Sequence, residues 1–176
     1  KERFGPRTYL AHRYFLSDDF TAEVDMDVRP LGPEYMDEPD AQHFGELSFR
    51  IKDLQVSAYA IPEVGMRLSW RYIQDNGTEE VGNSAQDLEN LTADEMPVPA
   101  KRPFRVRLQL KRRNGGVMVE GFVNNARFAR KMLQGFEGRV AKVAMGCRNL
   151  SCSFSDLTVQ GYLVDRPKRP VAGAQQ

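Results

Sequence analysis

The chain has 176 residues and a formal net charge of +1, a size that suits one all-β domain with a full core. So balanced a charge argues against capture of nucleic acid, because phosphate binding needs a concentrated excess of Lys and Arg. No apolar run approaches the roughly 20 residues that a membrane helix needs, so direct membrane insertion is not expected.

The first predicted strand covers residues 8 to 16. The second, "DFTAEVDMDV", alternates strictly: Phe20, Ala22, Val24, Met26 and Val28 point one way, Thr21, Glu23, Asp25 and Asp27 the other. Three carboxylates therefore share one strand face. A loop over residues 31 to 43 carries the acidic "PEYMDEPD", and two further strands are predicted at 44 to 51 and 54 to 61.

In "GMRLSWRYI", Met66, Leu68, Trp70 and Tyr72 alternate with Arg67, Ser69 and Arg71, which places the single tryptophan in the core. Residues 75 to 103 read as a long connection holding one short helix at 84 to 91, capped by Ser84. Alternation resumes in "FRVRLQLK", with Phe104, Val106, Leu108 and Leu110 inward and Arg105, Arg107, Gln109 and Lys111 outward. Strands at 116 to 123, 126 to 132, 139 to 146 and 153 to 164 complete the pattern, separated by turn chemistry such as "RNGG" and "QDNG".

About ten strands with almost no helix predict a sandwich or barrel. Residues 1 to 165 read as a single β-sandwich domain of a larger protein, and the Pro-rich, basic "RPKRPVAGAQQ" at 166 to 176 as a linker-like tail. Cys147 and Cys152 flank a predicted hairpin turn. They are either a disulfide, which would point to an extracellular or periplasmic location, or two unpaired thiols. His12 and His43 have no partner at a telling spacing and read as structural or surface residues. There is no nucleophile elbow, phosphate loop or zinc signature.

The run "FRVRLQLKRRNGGVMVEGFVNNARFARKML", followed by "GFEGRVAKVAMGCRNLSCSFSDLTVQGY", resembles the second half of concanavalin A-like lectin/glucanase domains, including laminin G-like and 3-keto-disaccharide hydrolase-like modules. "DFTAEVDMDVR" and "FGELSFRI" resemble their early strands. Asn125 stands where those families carry the Gly of an "NG" turn. The resemblance implies an all-β fold of two antiparallel sheets packed face to face, a jelly-roll sandwich. Lectins, hydrolases and interaction modules all use that fold.

Laminarinase-type enzymes of this fold carry Glu-x-Asp-x-Glu on one strand, the first Glu as nucleophile and the last as acid/base. Glu23, Asp25 and Asp27 match that form with Asp in the last place. Positions four apart on a strand are about 13 Å apart at Cα, while retaining catalysis needs carboxyls about 5 to 5.5 Å apart. The shorter Asp27 side chain widens the gap. Calcium is a further alternative, drawing on Asp18 and Asp19, although strand acids alone fall short of the six to eight oxygens such an ion takes.

Three readings follow. The favoured one is a non-catalytic binding module, carbohydrate-directed, with Arg50, Arg67, Arg71, Arg105 and Arg107 as ligand contacts, because guanidinium groups bind hydroxyls and carboxylates in fork geometry. The second is a glycoside hydrolase-like enzyme using Glu23 and Asp27. The third is a protein–protein interaction domain without a small ligand.

Overall fold

The structure is a computed structural model that describes residues 12–15, 19–31, 43–62, 64–73, 77–83, 96–113, 116–134 and 140–160. The described strands are β1 (His12–Phe15), β2 (Asp19–Pro30), β3 (Phe44–Ile51), β4 (Leu54–Ile61), β5 (Gly65–Ile73), β6 (Glu79–Asn83), β7 (Phe104–Arg113), β8 (Gly116–Val123), β9 (Ala126–Gln134), β10 (Val140–Arg148) and β11 (Leu150–Gln160). They form two antiparallel sheets, one of six strands in the order β1-β10-β3-β4-β5-β6 and one of five in the order β11-β2-β7-β8-β9. Of the sandwich or barrel expected from the two-residue period, the sandwich, which the family resemblance implied, is the observed fold.

Alternation explains why the sheets stack. Phe20, Ala22, Val24, Met26 and Val28 of β2 and Phe104, Val106, Leu108 and Leu110 of β7 are buried against Leu47, Phe49, Val56, Ala58, Leu68 and Trp70 of the other sheet. Each of the Val, Leu, Phe and Met side chains among them contributes about 1.5–3 kcal/mol on leaving water. A one-residue slip of β2 would turn its carboxylates into this core, so the register is strongly specified. Trp70 is buried, as its strand face predicted.

The structure corrects two local expectations. Part of the predicted connection 75 to 103 is strand: Glu79–Asn83 pairs with Ile73–Ser69 of β5 as the sheet edge. An edge strand needs little apolar alternation of its own, and Gly82 is small because a Cβ there would collide with the Trp70 ring. The helix expected at 84 to 91 lies outside the described residues, as does the tail from 166 onward.

The second correction concerns the cysteines. The turn between β10 and β11 is no hairpin, since β10 pairs with β1 and β3 in one sheet and β11 with β2 in the other. Cys147 and Cys152 are disulfide-bonded with Cα atoms 6.0 Å apart, so the bond staples the corner where the chain changes sheet.

At the β8–β9 turn, Asn124 and Asn125 both take positive φ, 47° and 68°. That is the pattern of the hairpin turn that matches strand twist, and Asn is among the few non-glycine residues that tolerate it. Just beyond, Phe128 is an extra residue between the pairs Gly121↔Ala129 and Phe122↔Arg127, and its ring closes over Gly121.

Candidate functional site

The outward faces of β11, β2, β7, β8 and β9 form one polar surface whose rows follow from the register. Gln160, Thr21, Gln109, Glu120 and Arg130 lie side by side across the sheet. The next row holds Thr158, Glu23, Arg107, Phe122 and Arg127. Ser155, Asp25 and Arg105 follow. Within the first two rows Thr21, Glu23, Arg107, Gln109 and Gln160 line an open depression of about 320 Å³.

Pairing across β2 and β7 answers the question raised by the three acids. Arg105 donates from Nη2 to Glu23 Oε1 and from Nη1 to Asp25 Oδ1, each at 3.1 Å. One planar fork thus spans two carboxylates on the neighbouring strand. Asp27 accepts from Arg29 Nη2 at 2.6 Å, with Arg102 Nη1 3.8 Å from its other oxygen. The Arg29 hydrogen bond is the largest influence on Asp27 and, with the charges of Arg29 and Arg102, outweighs desolvation to hold its carboxyl below the usual value. A general acid needs the opposite shift.

Arg107 lies differently. Its guanidinium stacks over the Phe122 ring at 4.2 Å and donates from Nη1 to Asn125 Oδ1 at 3.3 Å. Its Nε is buried without a hydrogen-bond partner. Arg107 lies beside Glu23 in register, so the depression presents a cationic donor and an anionic acceptor together, flanked by two amides and a hydroxyl. Such a set can hydrogen-bond a ligand bearing adjacent hydroxyls.

The five arginines predicted as contacts are not brought together. Arg105 and Arg107 face outward from the five-stranded sheet, whereas Arg50, Arg67 and Arg71 belong to β3 and β5 of the other sheet and face the opposite side of the sandwich. Of these, Arg71 pairs with Glu79 and Arg67 donates to the Met66 carbonyl. Arg105 is held by two acids, so Arg107 is the predicted arginine best placed for a ligand.

Residues missed by sequence reasoning complete the surface: Thr21, Gln109, Gln160, Phe122 and Glu120. Only outward parity hinted at them; their grouping depends on register across strands far apart in sequence. Glu120 is buried although it faces away from the core. It accepts from Lys111 Nζ at 3.1 Å and Arg127 Nη1 at 3.0 Å, with Arg130 Nε at 3.9 Å. Burial alone would raise its pKa, but the hydrogen bonds and charges of Lys111 and Arg127 prevail and lower it.

Asp18 and the side chain of Asp19, the two acids considered for calcium, lie outside the described residues. Among the described residues no group of three or more His, Cys, Asp or Glu could hold a metal ion. His43 Nδ1 lies 3.1 Å from the Asn149 carbonyl, a structural contact next to the β10–β11 corner.

No family model matches the chain, and no curated protein matches it in sequence. Solved structures do share its fold. A carbohydrate-binding module from Bacillus subtilis superposes with a TM-score of 0.50 at 11% identity, covering 88% of this chain and 82% of that one. A legume lectin-like domain from Entamoeba histolytica gives 0.51 at 8% identity, covering 90% and 81%. A functionally unknown protein from Saccharomyces cerevisiae gives 0.50 at 14% identity, covering 90% and 76%. The chain thus shares the two-sheet antiparallel β-sandwich fold of these structures.

Proposed function

We propose that this chain is a non-catalytic carbohydrate-binding module of a larger protein, of the laminin G-like or 3-keto-disaccharide hydrolase-like branch of its fold. The observation that carries the reading is the depression on the outer face of the five-stranded sheet, where Glu23 and Arg107 lie side by side among Thr21, Gln109 and Gln160. Charged groups with paired donor and acceptor character suit vicinal hydroxyls, and flanking amides add orientation. The lectin-like fold supports it at the level of architecture. The Cys147–Cys152 disulfide supports an extracellular or periplasmic setting.

The engagement of the β2 acids favours binding over hydrolysis. Glu23 and Asp25 share Arg105, and Asp27 is held ionised by Arg29 and Arg102, so the strand supplies fixed acceptors rather than an acid and a nucleophile. Binding to a glycan panel, with calcium and with a chelator, tests the reading. Binding is expected under both conditions, because the depression recognises hydroxyls through side chains alone, and Arg107→Ala should weaken it about tenfold or more. A panel without signal under either condition would sink the proposal.

A further inference from the structure

Charge on the outer face of the five-stranded sheet is segregated. Acids gather on β2, where Glu23, Asp25 and Asp27 are each engaged by an arginine. Across β7, β8 and β9 the outward charged side chains are Arg105, Arg107, Lys111, Arg113, Arg127 and Arg130 against a single carboxylate, Glu120; Arg105 is taken up by the acids of β2, and the other five stand beyond them. The chain as a whole carries only +1, so this excess is local. Fields from a patch of this kind act on what approaches that face.

Glu120 gives the patch its order. Its side chain is 5% exposed, whereas those of Lys111, Arg127 and Arg130 are 28%, 42% and 49% exposed. One buried carboxylate therefore takes a single hydrogen bond from Lys111 and one from Arg127, and both cations keep further donors on partly exposed side chains. Arg130 is steadied by Met118, its Nε lying 2.9 Å from Sδ. Arg113 is exposed at the end of β7 and donates to the Arg112 carbonyl. Arg107, pinned on Phe122 with a buried, unpartnered Nε, links the patch to the depression. Cations held in place before a ligand arrives lose less freedom when it binds.

We propose that the β7–β9 half of this face binds the acidic groups of a carboxylated or sulfated glycan, while the depression beside it holds neighbouring hydroxyls. This rests on the carbohydrate-binding reading and specifies its ligand class. A nucleic acid fits less well, because the one aromatic ring in these rows, Phe122, is covered by Arg107 and offers no base a stacking face.

The full chain is titrated with heparin, with polygalacturonate, with a neutral β-glucan and with duplex DNA. Either acidic polysaccharide should bind more tightly than the neutral one, and which of the two binds identifies sulfate or carboxylate as the group read. The affinity should fall about tenfold between roughly 50 and 200 mM salt. Arg127→Gln with Arg130→Gln should weaken binding about tenfold or more. Arg113→Gln, which disturbs no side-chain partner, should weaken it in the same direction even if the double variant fails to fold. Neutral and acidic glycans binding alike would overturn the charge inference and leave the carbohydrate reading intact; DNA binding as tightly as heparin would overturn the ligand class. Silence from every glycan would overturn both.

Discussion

Glu120 shows how a single outward residue can be structural and electrostatic at once. Its carboxyl is ionised, nearly inaccessible and hydrogen-bonded to Lys111 and Arg127. Because its folded pKa lies below the unfolded value of about 4.3, its contribution is fully present above that value and is lost as pH falls through the folded one. Glu120→Gln should therefore cost about 1–2 kcal/mol in urea unfolding at neutral pH, with the gap to the parent chain narrowing as the carboxyl is protonated in acid; a gap that stayed constant with pH would contradict the ionised assignment. For Arg105, a double-mutant cycle with Glu23 should return a coupling of about 0.5–1 kcal/mol, modest because both side chains keep partial solvent access. The period of "EVDMD" made its shared acidic face legible in the sequence. What it could not convey was the partner, since Arg105 lies 80 residues beyond Asp25 in the chain and meets it only through the register of β2 with β7. The burial of Glu120 was hidden for the same reason, as its covering cations come from strands on both sides.

Strands with strict alternation were readable from the chain because their inward residues are apolar along the whole length, as in β2, β5 and β7. β6 was not, since an edge strand over a tryptophan needs a glycine and charges where a central strand needs apolar side chains. The corner between β10 and β11 looked like a hairpin because turn chemistry does not say which sheet each flanking strand will join. Its disulfide closes a loop with a sequence separation of 5, short enough that chain entropy yields only about 2 kcal/mol. Reduction should lower the melting temperature by roughly 4–8 °C for a chain of this size; a loss of the whole transition would mean that the corner does far more than tether. At the β8–β9 bulge, Gly121→Val would drive a side chain into the Phe128 ring and should destabilise by about 1–3 kcal/mol in chemical denaturation.

At the scale of the molecule, the sandwich separates residues that the sequence left in one pool. Outward parity identified Arg50, Arg67, Arg71, Arg105 and Arg107 equally well, but parity is blind to which sheet a strand enters, and the sheets place Arg50, Arg67 and Arg71 on one outer face and Arg105 and Arg107 on the other. The second face joins an arginine to a polar depression, and there the acids of β2 become part of a charge ladder with β7. The central claim is that a glycan is read on this face. Backbone amide shifts of the isotope-labelled chain, followed during titration with whichever panel glycan binds, test it most directly. The account predicts perturbations concentrated at Thr21, Glu23, Arg107, Gln109 and Gln160 and spreading toward β8 and β9, with β3, β4 and β5 unmoved. Shifts centred on Arg50, Arg67 and Arg71 would contradict it, because they would place the ligand on the opposite side of the sandwich.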